Sequence, residues 1–126
     1  MDVFEAERLT DELVSAELAK QNQMWGRLGD RTDNLNGELQ LAGMAQLDAL
    51  FDRQNGEPDA YDSPPEIFPQ DWNGFRDYGS DIANLVVGVA FLTQEIKRKL
   101  MAGEDFTRLA RTAQQPFAAD APLAEA

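Results

Sequence analysis

The stretch Trp72-Asn-Gly-Phe-Arg-Asp-Tyr-Gly-Ser-Asp-Ile-Ala-Asn-Leu-Val-Val-Gly-Val-Ala-Phe-Leu-Thr-Gln-Glu-Ile-Lys-Arg-Lys-Leu-Met101 decides the fold. Along it Phe75, Tyr78, Ile82, Leu85, Val89, Leu92, Ile96 and Lys99 recur in steps of three and four, the seam of a helix bundle. The spacing predicts one helix from Trp72 to Met101. Val86, Val87, Ala90 and Phe91 lie off the seam, so between Leu85 and Leu92 the helix is apolar nearly all round. A helix apolar on every side must be covered on every side. Three helices of one small chain can hardly enclose it, so the expectation is self-association into a dimer or tetramer. Lys97, Arg98 and Lys99 close the helix where cations oppose its negative end. They read as a solvated terminus or as a phosphate contact.

Two further helices are expected upstream. The first runs from Val3 to Trp25, with Asp2 and Glu5 in the positions of a capping box. Leu9, Leu13 and Ala16 form its apolar line, with Val14 and Leu18 alongside, and glycines at 26 and 29 end it. The second runs from Asn34 to Asp52. Leu39, Ala42, Gln46 and Ala49 follow helical spacing there, and Leu47, Leu50 and Phe51 broaden the apolar face. Gly43, set among alanines, reads either as a close helix contact or as backbone room for a ligand. Gly56 and the prolines at 58, 64, 65 and 69 break any regular helix over the next segment. Tyr61, Ile67 and Phe68 are its candidate anchors.

Downstream, Gly103 stops the long helix, and Glu104 to Thr112 is read as a short fourth one with Phe106 and Leu109 facing inward. Residues 113–126 form a flexible end or an arm laid on a neighbour. The fold class is therefore all-α. A helix-bundle domain spans residues 1–112, with a Pro-rich loop over 52–71, and is completed by oligomerisation.

Composition narrows the chemistry. With 126 residues the chain fits one domain, and its hydrophobic share of 43% is globular. It has no cysteine and no histidine, which excludes disulfides, thiolate metal sites and the commonest general base. Ser15, Ser63 and Ser80 thus lack a conventional activator. The net charge of −12 opposes nucleic acid binding. No apolar run approaches the ~20 residues that span a bilayer, and the first residues lack a basic leader region, so a cytoplasmic location is expected.

One polar stripe interrupts the long helix. Asp77, Asp81 and Asn84 fall at steps of four and three and share a face, which Gly88 continues without a side chain. Carboxylates beside an apolar segment need a solvated pocket, a metal, or a cation from another helix. They can equally satisfy the helix start and remain wet. A metal held by such donors would be Mg²⁺ or Mn²⁺. On the second helix, Glu38 and Asp48 are too far apart around the surface to cluster, although Glu38 alone can face Asp81 and Asn84 across an antiparallel pair. Lys20, Arg27 and Arg31 read as phosphate contacts or as solvated charges.

The string Glu17-Leu-Ala-Lys-Gln-Asn-Gln-Met-Trp-Gly26 resembles the first helix of the small MazG-like proteins of phages and bacteria. Trp72-Asn-Gly-Phe-Arg-Asp-Tyr78, followed by Asp81-Ile-Ala-Asn-Leu-Val-Val-Gly-Val-Ala-Phe-Leu92, resembles their Trp-to-Tyr stretch and long Val/Ala-rich helix. These are all-α nucleoside triphosphate pyrophosphohydrolases. The resemblance implies an oligomeric bundle that cleaves a nucleoside triphosphate to monophosphate and pyrophosphate with Mg²⁺ or Mn²⁺. The family holds the ion with Glu-x-x-Glu on one helix and Glu-x-x-Asp on the next. Here the second pair falls on Asp81 and Asn84, and the first falls on Glu38 and Leu41 or within Gln40 to Met44, so carboxylates are missing from both. Carried over, Glu38, Asp77, Asp81 and Asn84 become the metal ligands and Glu38 and Asp81 the catalytic carboxylates. Lys20, Trp25 and Arg27 become the substrate contacts. The function so implied is nucleotide handling, by hydrolysis or by binding alone. The alternative is a non-enzymatic helical assembly or adaptor protein acting by protein–protein contacts.

Overall fold

Helix boundaries follow from local capping chemistry. The computed structural model describes residues 1–26, 37–56, 65–69, 71–72 and 75–112, apart from the side chains of Trp25 and of residues 110–112. Helix α1 spans Val3–Trp25: the Asp2 carboxylate accepts the Glu5 N–H at 2.8 Å, and Gly26 at φ 70° ends it. Helix α2 spans Glu38–Gln54, entered through Gly37 at φ 79°, a left-handed conformation that ends any helix running from Asn34. Helix α3 spans Asp81–Met101 and α4 spans Thr107–Thr112. All regular structure among the described residues is helical.

Helix α3 starts nine residues later than its apolar spacing predicts. Gly79 at φ 68° turns the chain, and Ser80 in an extended conformation caps the helix, its hydroxyl accepting the Ala83 N–H at 3.3 Å. Phe75 and Tyr78 therefore belong to a non-helical segment. They still pack on the core, as do Ile67 and Trp72. Phe68 is 6% exposed and meets Phe75 and Trp72 edge-on, with ring centroids 5.3 and 6.3 Å apart. Trp72 lies 6.3 Å from Phe91 of α3. The expected anchoring by Ile67 and Phe68 is present; Tyr61 lies outside the described residues.

The core joins Leu39, Ala42 and Ala45 of α2 to Val87 and Phe91 of α3, under Phe68. These α3 residues are the ones off the predicted seam. Within α3 most of the seam faces outward, with Ile82 and Ile96 61–63% exposed and Leu85 and Val89 40–44%, while Leu92 is half-buried against Gly43. The physical reason is where α2 and α3 can approach. Gly43 and Gly88 face each other across the pair, so the Asn84–Gly88 side of α3 turns inward and its branched side is left out. A Cβ on Gly43 would lie 2.8 Å from Leu92 and 3.0 Å from the Gly88 carbonyl oxygen, and one on Gly88 would lie 3.2 Å from the Gly43 carbonyl oxygen. Both positions are close helix contacts.

Helix α1 packs against α3, joined to it by a buried hydrogen bond from the Gln94 amide to Gln21 at 2.6 Å. Its predicted apolar line is largely uncovered: Leu13 is 45% exposed, Ala16 is exposed and Leu9 only half-buried. Helix α4 is shorter than expected because Asp105 accepts the Thr107 N–H and so caps it late. Phe106 and Leu109 point outward, at 62% and 69% exposure. No helix of the described residues is long and apolar enough to cross a membrane. The expected tail over 113–126 lies outside the described residues.

Substituting Gly43→Val puts a branched side chain where two backbones meet. Overpacking of this kind costs about 1–3 kcal/mol, so the urea midpoint should fall while the far-ultraviolet helix signal is retained.

Candidate functional site

The antiparallel run of α2 and α3 brings the end of one to the start of the other, and the predicted polar stripe sits at that junction. Arg53, in the last turn of α2, places its guanidinium between two carboxylates: one nitrogen is 2.6 Å from Asp77 and another 3.2 Å from Asp81. The Gln54 amide donates to the second oxygen of Asp81 at 3.3 Å. A cation at the C-terminus of α2 and an anion at the N-terminus of α3 each suit the dipole of their own helix. The pair therefore fastens two helix ends together.

Beneath it lies Asn84, fully buried. Its amide donates to Asp77 at 3.1 Å and to the Gln46 carbonyl at 3.5 Å, while its oxygen accepts the Tyr78 N–H at 3.0 Å. Asp77 also accepts the Gly79 N–H at 3.0 Å, which holds the turn leading into α3. Burial pushes the Asp77 carboxyl upward, but Gly79, Asn84 and Arg53 together outweigh it and hold the group below the 3.8 of an ordinary aspartate. Gln46 donates to the Arg76 carbonyl at 3.2 Å, leaving its own buried side-chain oxygen without a hydrogen bond.

The structure thus brings Asp77, Asp81 and Asn84 together, around Arg53. Glu38 is not with them. It lies 15 residues before Arg53 on α2, about 22 Å along the axis, so it belongs with the last turns of α3. The expected convergence of Glu38 on Asp81 is corrected on this ground: the antiparallel register places Arg53, not Glu38, opposite Asp81. Lys20 reaches back to Glu17 at 3.9 Å and lies 5.9 Å from the centre of the Tyr78 ring, with Arg76 at the same distance. The side chain of Trp25, and all of Arg27 and Arg31, lie outside the described residues.

A second polar cluster lies at the other end of α3. Glu17 accepts from Gln21 at 3.0 Å, and Gln21 accepts from Gln94. Next to Gln94, Glu95 is 4% exposed, with one carboxylate oxygen 2.5 Å from Arg98 and the other without a hydrogen bond. The sequence reading missed Arg53, Gln21, Gln94 and Glu95. A signal existed for the two glutamines. Gln21 continues the spacing of Val14 and Leu18, and Gln94 that of Val87 and Phe91, so each stands at the end of an apolar line.

Among the described residues, no group of three or more carboxylates is placed to share a metal ion. Compared with protein-family models, curated proteins and solved structures, the chain matches none.

Two outcomes test this junction. Removing the Asn84 side chain in Asn84→Ala strands buried hydrogen-bond partners at about 1–3 kcal/mol, visible as a lower unfolding midpoint. Asp77→Asn should be less stable than the parent at neutral pH. Because the folded-state value of Asp77 is depressed, its contribution is complete above the unfolded value and fades as pH falls through the folded one. Urea midpoints of the two proteins should therefore converge in acid, below the 3.8 of an ordinary aspartate.

Proposed function

We propose that this chain is a non-enzymatic helical assembly protein, working through helix–helix contacts rather than through chemistry on a nucleotide. The observation that supports this is the uncovered apolar side of α3: Ile82, Leu85, Val89, Ile96 and Leu100 are 63, 44, 40, 61 and 49% exposed. They form a continuous strip on one side of the helix, about 27 Å long. Met44 and Phe51 of α2, 41% and 62% exposed, carry it past Leu47, which packs against Gly88. Fully burying one such side chain is worth about 1.5–3 kcal/mol, so the isolated subunit leaves several kcal/mol unrealised. An apolar strip of this extent marks a contact surface.

A second reading, nucleotide handling with Mg²⁺ or Mn²⁺, draws on the convergence of Asp77, Asp81 and Asn84. Their oxygen donors are of the kind such ions take. A divalent ion there, however, competes with a guanidinium already bonded to both carboxylates, and Glu38 is too distant to help.

Thermal unfolding with Mg²⁺ or Mn²⁺ and a panel of nucleoside triphosphates, followed by an assay for pyrophosphate release, separates the two. The expected result is no nucleotide-dependent rise in Tm and no release. A rise that disappears in Asp81→Ala would overturn the assembly reading.

A further inference from the structure

The apolar strip on α3 has a symmetry that the rest of the surface lacks. Ile82 and Leu100, and Leu85 and Ile96, are pairs whose midpoints fall at positions 91 and 90.5, with Val89 close to that centre. A helix with this pattern reads alike in both directions. A second copy laid antiparallel meets it with branched residue against branched residue at these layers and with Val89 of each copy near the centre.

Charge selects the same orientation. At one end of the strip Asp77 and Asp81 hold Arg53, and at the other Lys97, Arg98 and Lys99 stand with Glu95 and Glu104; these groups leave a negative surplus at the first end and a positive one at the second. Antiparallel pairing sets the acidic end of each helix beside the basic end of its partner and opposes the two helix dipoles. Parallel pairing sets Asp81 beside Asp81 and lysines beside lysines. In a chain of net charge −12, an interface that sets these opposite surpluses side by side is the arrangement that repels least.

We infer that the occupant of this strip is a second copy of the chain, its α3 packed antiparallel about a two-fold axis near position 91. This rests on the assembly reading and names its partner.

The chain contains no cysteine, so introduced thiols report without background. The single variants Leu85→Cys and Ile96→Cys and the double variant are oxidised and analysed by non-reducing electrophoresis, with sedimentation of the parent chain alongside. In the antiparallel pair, positions 85 and 96 of opposite copies meet, whereas equivalent positions are separated by about 16 Å, too far to bridge. The parent should sediment as a dimer or a multiple of it. The double variant should give covalent dimers and each single variant none. Val89→Glu should sediment at half the parent's mass or less with its helix content intact, since Val89 is already 40% exposed in the subunit.

Efficient crosslinking of either single variant would mean parallel pairing and would overturn the inference. So would a monomeric parent, or a Val89→Glu variant that stays dimeric. A monomer that is also unresponsive to nucleotide defeats only the choice of partner. A nucleotide response defeats the assembly reading itself.

Discussion

The contact between Gly43 and Gly88 governs the rest of the structure. With hydrogen in place of a side chain at both positions, α2 and α3 meet almost backbone to backbone. That approach sets the rotation of α3 about its own axis, because whatever flanks Gly88 must turn inward. Asn84, Val87 and Phe91 go into the interior, and Ile82, Leu85, Val89 and Ile96 are left outside. The same approach fixes the register, which then brings Arg53 opposite Asp81 at one end and leaves Glu38 toward the last turns of α3 at the other.

Polar groups reinforce this register where apolar packing alone would tolerate slippage. Asn84 is tied to the turn ahead of α3 through Asp77 and Tyr78 and to α2 through the Gln46 carbonyl, and a shift by one turn would strand that last contact. Arg53 binds carboxylates from the turn and from the helix that follows it, so the start of α3 and the end of α2 are held by one guanidinium. The chemistry of Asp77 and Asp81 is thereby explained within the chain. The aromatic cover of Phe68, Trp72 and Phe75 closes the remaining side of the core.

The uncovered side of α3 is the counterpart of this arrangement. A small helical chain could have buried its most strongly branched residues first. Here Ile82, Leu85, Val89, Ile96 and Leu100 remain exposed, while Val87 and Phe91 are buried together with small residues, two amides and a carboxylate. Such an allocation suits a subunit that keeps its best apolar face for another helix.

The sequence by itself determined the helical class, the span of α1 and the presence of the small-residue contact, since capping residues and glycine signals act locally. It also grouped Asp77 with Asp81 and Asn84, though by a helical spacing that does not extend to Asp77, which the turn at Gly79 and the Arg53 guanidinium bring there instead. It did not determine where α3 begins: Gly79 and Ser80 form a stop and start that the continuing apolar spacing through Phe75 and Tyr78 obscured. Tertiary structure alone decided which side of α3 is inside. Hydrophobicity alone would have turned the Ile82–Leu100 side inward, and the fit of Gly43 against Gly88 overrides it. It likewise decided that Arg53 rather than Glu38 answers the aspartates, because the antiparallel register of two helices joined by a long loop is set by packing rather than by spacing along the chain.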